Sequence, residues 1–282
     1  MYSAIIVFFA GLASEMSAFP VQNSSALNEE EKRFKRSVSD ERLGMEDMTA
    51  MDKILETNEY QLTAHPGGPT FMQGDIAISS KRSAIACPGN TCLWPKSVDG
   101  HVYIPYILSP QYNDFDRIII ETGMQDISTG TCVRFVPRTH EANYLDIQPK
   151  FGCWSYLGLN GGAQQLSLQT PGCMWSGVAS HELMHALGFV HEQSRSDRDE
   201  YVTIMWENIL KDREHNFDKY ETNNLNAPYD YGSIMHYGKY AFSEDGAPTI
   251  IPKPDPNILI GQRDGPSTTD LMKINRLYDC GV

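Results

Sequence analysis

Three histidines and one glutamate in a single short stretch, His181-Glu182-Leu183-Met184-His185-Ala186-Leu187-Gly188-Phe189-Val190-His191, constrain this chain more than any other feature. His181 and His185 are four apart, so a helix through them projects both rings from one face, where they can grip one metal ion. Glu182 follows the first of them and can reach a water on that ion without being a ligand itself. Gly188 can take a positive φ that would strain other residues, so the helix can stop and the chain turn back. The return brings up His191 as a third ligand and leaves open the fourth position that a catalytic site needs. This spacing suits zinc-dependent peptide hydrolysis.

Downstream, Ser233-Ile234-Met235-His236-Tyr237 reads as a tight turn whose methionine packs beneath a metal. With this turn following the histidine motif, the sequence resembles the astacin metalloproteases of the metzincin superfamily. The resemblance is carried by HELMHALGFVHEQSRSDRDEYV (181–202), YDYGSIMHYGKYAFS (229–243) and TCVRFVPR (131–138). GCWSYLG (152–158), IGQR (260–263) and the closing Leu-Tyr-Asp-Cys (277–280) extend it, so that it runs from about Ser83 to Cys280. It is most like the six-cysteine fish subgroup that includes the hatching enzymes.

The resemblance implies an α+β fold in two lobes. The N-terminal lobe carries a twisted mixed sheet and the active-site helix; the C-terminal lobe is irregular and ends in a helix. It implies one Zn2+ per catalytic domain, held by His181, His185 and His191, with Glu182 as general base and acid. Tyr237 would be a weak ligand at rest and a hydrogen-bond donor to the transition state. Met235 would form an apolar floor under the metal, and Glu192 would pair with the ammonium of a newly exposed mature N-terminus. Phe71-Met72-Gln73-Gly74-Asp75 resembles the latency motif of astacin pro-segments, which makes Asp75 the expected metal ligand of the latent form. Arg263 matches a position at the S1′ pocket, and the strand near Cys153–Tyr156 would receive substrate antiparallel, with Trp154 and Tyr156 lining the cleft or simply packing.

The six cysteines are Cys87, Cys92, Cys132, Cys153, Cys173 and Cys280, and sequence alone leaves their pairing open. The resemblance implies Cys132–Cys280 and Cys153–Cys173, with Cys87–Cys92 as the remaining pair. Ala4 to Ala13 is an apolar run of signal-peptide length, too short to span a bilayer, with cleavage after Ala18 or Ala13. Together with the even cysteine count it points to a secreted, extracellular protein, stored in granules or released directly. The acidic balance, 23 Lys+Arg against 36 Asp+Glu, argues against nucleic acid or an anionic membrane as partner.

Three segments are expected: a signal peptide at 1–18, a pro-segment at 19–82 and a catalytic domain at 83–282. Arg33-Phe34-Lys35-Arg36 is a candidate convertase site, and Lys81-Arg82 stands where an activating protease would cut. Met51–Leu62 is expected to form a short helix. In the catalytic part, strands are expected at His101–Leu108, Val133–Val136, Tyr144–Ile147 and Gln164–Gln169. Gln111–Ser128 carries Phe115, Ile118, Ile119 and Ile127 at helical spacing, which predicts a helix that turns these residues to the core. Val178–Gly188 would be the active-site helix. Ser267 with Asp270 predicts a capping box for a last helix, with no accessory module expected after Val282.

The function expected is a zinc endopeptidase made as a zymogen, acting as a monomer on protein substrates such as egg-envelope glycoproteins. A digestive, haematopoietic or immune-tissue protease of the same subgroup is the alternative, and a zinc-binding pseudoenzyme is a third reading that the intact Glu182 and Tyr237 oppose.

Overall fold

The computed structural model describes residues 50–64, 70–78, 91–262 and 264–281. The expected signal peptide, the basic cluster near Arg36, the Lys81-Arg82 cleavage point, Cys87 and Arg263 lie outside the described residues. Helix α1 (Ala50–Ala64) covers and extends the short helix expected there. It buries Met51, Ile54, Leu55 and Asn58, the i, i+3, i+4, i+7 stripe of an amphipathic helix. Two short strands follow, β1 (Phe71–Met72) and β2 (Ile76–Ala77), paired antiparallel across a turn.

The sheet of the N-terminal lobe then forms from β3 (Val102–Leu108), β4 (Val133–Pro137), β5 (Tyr144–Gln148), β6 (Cys153–Ser155) and β7 (Ala163–Leu168). Helix α2 (Asp114–Thr129) crosses between β3 and β4. The strand order is β1-β2-β6-β7-β5-β3-β4. Strands β4, β3, β5 and β7 are parallel neighbours, and β6 runs antiparallel to β7. The apolar run of β3 suits its place between two parallel partners. Its Pro105 is tolerated because the Val102 N–H donates to Cys132 on the β4 side, so the missing donor of Pro105 points the other way. There, β5 pairing begins only at Tyr106.

Helix α2 corrects one expectation. Asn113 caps it, with Asp116 closing the capping box, so it starts three residues later than Gln111. Its buried stripe is Asp116, Ile120, Gly123, Met124 and Ile127, whereas Phe115 and Ile118 are 68% and 61% exposed. Gly123 sets this phase. A Cβ there would lie 2.8 Å from the Ala179 side chain and 2.8 Å from the Ser176 carbonyl, so only glycine lets the next helix come this close.

That next helix is α3 (Ser176–Ala186), fully buried from Gly177 onward. Cys153–Cys173 ties β6 to the segment ahead of it. The chain then passes into turns, short 3-10 helices and a two-stranded ribbon of β8 (Val202–Ile204) and β9 (Ile250–Pro252). Helix α4 (Thr268–Leu277) closes the described part, with the predicted Ser267/Asp270 capping box present. Cys132–Cys280 fastens its end to β4. Cys92 is also disulfide-bonded, and Cys87, its expected partner, is among the residues not described. No helix among the described residues is long and apolar enough to cross a membrane.

Candidate metal centre

Helix α3 places His181 and His185 one turn apart on one face. It ends as expected: the N–H of Gly188 donates to the His185 carbonyl, and Gly188 has φ +105. The reversal brings His191 round until its Nε2 lies 3.3 Å from that of His181, while the Nε2 atoms of His181 and His185 are 3.0 Å apart. All three rings are fully buried.

The fourth group comes from the β1–β2 turn. Asp75, also fully buried, has Oδ2 at 3.0 Å from His181 Nε2 and 3.3 Å from His191 Nε2, and Oδ1 at 3.4 Å from His185 Nε2. Ligand atoms of these four residues all lie within 4.8 Å of one another.

The outer ring nitrogens decide what this cluster can hold. His181 Nδ1 faces the Ile234 carbonyl at 2.9 Å, His185 Nδ1 the Phe189 carbonyl at 2.7 Å, and His191 Nδ1 the Gln73 Oε1 at 2.7 Å. Each of these oxygens can only accept, so each Nδ1 carries the ring proton and each Nε2 presents a lone pair. Burial holds His185 below its ordinary pKa and His191 at about 3, so these two rings stay neutral. Three lone pairs and a carboxylate converge with no proton to share. A cation resolves the arrangement, and three imidazole nitrogens with one oxygen form a set that zinc accepts.

Glu182 is fully buried beside this group, and among the described residues neither of its carboxyl oxygens has a hydrogen-bond partner. Burial, and then the negative charge of Asp75, push its carboxyl well above the usual range.

The turn carrying Met235 lies against the third ligand: Glu192 N–H donates to the Met235 carbonyl at 3.0 Å. Tyr237 is fully buried, with its ring centroid 4.7 Å from that of His191. Its hydroxyl donates to the Gln73 carbonyl at 2.6 Å. His236, its neighbour, packs rather than ligates, with Nε2 at 2.8 Å from the Tyr229 hydroxyl. Glu192 is not free for an incoming ammonium in this form. Lys273 Nζ donates to its Oε2 at 2.5 Å and Arg195 to its Oε1 at 3.1 Å.

At the sheet edge, β2 pairs with β6 in parallel, and Ser155 N–H donates to the Asp75 carbonyl at 3.2 Å. Trp154 is 2% exposed, packed between Phe71 and Tyr156 with centroids at 6.2 and 5.9 Å. Trp154 therefore meets β1 through Phe71, while Tyr156 packs on the other side of the indole.

Sequence reasoning passes over several residues. Asn58 on α1 acts as a partner strand in miniature: its amide nitrogen donates to the Gly74 and Cys153 carbonyls, and its Oδ1 accepts from Cys153 N–H. Gln73, at φ +52, stands inside the Phe71–Asp75 motif without a role legible there, and Lys273, in the last helix, carries no mark in the sequence. A polar residue on the apolar stripe of a helix is the available signal for Asn58; Lys273 offers none.

These features define a metal-dependent peptidase domain in which two ligands stand on a buried helix, a third follows a glycine reversal, and an acidic side chain lies beside them. The family model for the astacin peptidases matches residues 91–279. High choriolytic enzyme 1 of Oryzias latipes is 50% identical over 211 residues, covering 74% of this chain and 78% of its own. An astacin-like metalloendopeptidase of Gallus gallus is 44% identical over 287 residues, covering 98% of this chain and 68% of its own. The solved structure of high choriolytic enzyme 1, described as a hatching enzyme zinc-protease from medaka, superposes with a TM-score of 0.68 at 51% identity. That likeness covers 70% of this chain and all of the other, 100%. The chain belongs to the astacin family and is a zinc metalloendopeptidase with the family's two-lobed α+β fold.

Proposed function

We propose that the chain is a secreted protease made in latent form, with a signal peptide at 1–18, a pro-segment at 19–82 and a catalytic domain at 83–282, and that it acts on egg-envelope glycoproteins. One observation supports the latency: the Asp75 carboxylate stands 3.0–3.4 Å from three imidazole nitrogens, where a fourth ligand would sit. The substrate class rests on the likeness to a hatching enzyme at 51% identity.

His181, His185 and His191 would hold zinc, which when bound supplies a Lewis acid that acidifies water and polarises a carbonyl. The chain's own residues do the rest. Departure of the pro-segment removes the Asp75 charge that helps to keep Glu182 protonated, and opens the pocket to water. The Glu182 carboxylate then takes a proton from the attacking water and passes it to the leaving amine. Tyr237, released from the Gln73 carbonyl, turns its hydroxyl to the oxygen on which charge develops. The β6 edge, released from β2 and Asn58, offers the Ser155 N–H and the Cys153 N–H and carbonyl to an extended peptide. Such backbone pairing grips a chain while reading its side chains little.

The test compares protein trimmed after Arg82 with its Glu182→Gln form, on casein and on egg-envelope protein, with zinc content measured on both. Cleavage by the first alone, at equal zinc, is the expected result. A trimmed, folded, zinc-loaded protein that cuts neither substrate would refute the reading; cleavage of casein alone would refute the substrate class.

A further inference from the structure

Two of the three ligands are fixed by helix α3, but His191 lies beyond it. Its outer ring nitrogen is held by Gln73, which belongs to the pro-segment and leaves on activation in the reading above. What then fixes His191 is the Tyr237 ring packed on it at 4.7 Å, its own main chain and its neighbour Glu192, whose N–H is bound to Met235 and whose side chain is 6% exposed.

The Glu192 carboxylate is gripped on both oxygens. Oε1 accepts from Arg195 at 3.1 Å and from the Asp230 N–H at 2.9 Å; Oε2 accepts from Lys273 at 2.5 Å. Arg195 is shared with Asp197, which it holds at 2.7 Å, so Lys273 is the cation committed to Glu192. Lys273 itself is buried, at 6% exposure, in a position where an ammonium stands only if paired.

The place of Lys273 in the fold gives the pair its reach. It lies one turn past Asp270 in helix α4. Asp270 caps that helix and also accepts from Ser233 Oγ at 2.6 Å and from Ile234 N–H at 2.9 Å. The Ile234 carbonyl is the acceptor for His181 Nδ1. The start of α4 is thus one residue away from two ligands, from His181 through Ile234 and from His191 through Glu192. The far end of α4 is fastened to the sheet by Cys132–Cys280.

We propose that Lys273 is a positioning residue for the metal centre: its bond to Glu192 holds the third ligand in place once the pro-segment has gone. This rests on the zinc-peptidase reading, whose own failure would show as an inactive trimmed wild-type protein.

The test uses the full chain with Lys273→Met, Lys273→Arg and the double change Lys273→Met/Glu192→Gln, each before and after trimming at Arg82. Lys273→Met is expected to release zinc to a chelator about tenfold to a hundredfold faster after trimming, the range seen for outer-shell changes at metal sites. kcat should fall about tenfold or more with KM within about twofold. In metal-free trimmed protein, amide hydrogen exchange over 191–195 should quicken. Lys273→Arg is expected to restore most of each quantity. The double change removes the unpaired buried charge, so it should recover melting temperature while zinc release and kcat stay impaired. Should Lys273→Met fail to fold, the double change alone carries the decision. Recovery of zinc retention and kcat together with stability in the double change would overturn the proposal, leaving Lys273 a charge-balancing residue only. Wild-type zinc retention and exchange in folded Lys273→Met would overturn it too.

Discussion

Replacing Tyr237 by Phe isolates one oxygen atom in two states of the protein. The ring stays: it packs against His191, Phe217 and Phe242 with centroids at 4.7, 5.6 and 5.8 Å, all contacts that phenylalanine keeps. In the latent form the change deletes the 2.6 Å bond to the Gln73 carbonyl and leaves that oxygen buried. An acceptor stranded in this way costs about 1–3 kcal/mol, so the pro-segment should be held more weakly by that amount. Trimming with a limiting protease should then run about fivefold to a hundredfold faster, if local opening precedes the cut. In the trimmed form the proposed role is donation to the developing oxyanion, where loss of one donor costs about 2.7–4 kcal/mol, or about a hundredfold to a thousandfold in kcat. KM should stay within about twofold and zinc content should be unchanged, because three histidines remain. The assay is steady-state hydrolysis of a fluorogenic peptide, paired with a time course of trimming followed by mass spectrometry. A fall in kcat of less than about tenfold, or a loss carried by KM, would refute the transition-state role. Unchanged trimming would refute the latch to Gln73.

Other expectations follow from the same geometry. Asp75→Ala should leave the zymogen with measurable activity and let a small hydroxamate reach the metal, as judged by inhibitor binding; a fully silent, hydroxamate-blind variant would contradict the latency assignment. Zinc at about a hundred times its dissociation constant should stabilise metal-stripped zymogen by about 2.7 kcal/mol, seen as a rise in Tm, and a Tm indifferent to zinc would argue against the site. Removing Cys153–Cys173 by a double Cys→Ala change should cost about 3 kcal/mol in denaturant unfolding, from a loop closed over a sequence separation of 20. Arg195 hydrogen-bonds Asp197 and holds its carboxyl below the ordinary 3.8. Such a group adds stability that is fully present above 3.8 and is lost as pH falls through the lowered value. Asp197→Asn should therefore flatten the decline of Tm as pH falls below about 4; an unaltered slope would count against the pair.

The metal ligands are legible in the amino-acid sequence because their geometry is local. A four-residue helical step and one glycine reversal bring His181, His185 and His191 together with little help from the rest of the fold. The capping box at Ser267 and Asp270 is local in the same way, as is the apolar run of β3. Asp75 is marked by its motif, yet its approach to the histidines spans more than a hundred residues of chain and no short-range rule fixes such a distance.

Tertiary structure alone decided the rest. The phase of α2 depended on how closely α3 could approach at Gly123, so Phe115 and Ile118 face solvent despite their helical spacing. Asn58 pairs with a strand 95 residues away, and Lys273 with a carboxylate 81 residues away. Chemistry that repeats every turn or every strand is written into neighbouring residues. Pairing between distant segments is settled only when the core packs, because burial is what makes an unpaired charge or amide too costly to leave alone.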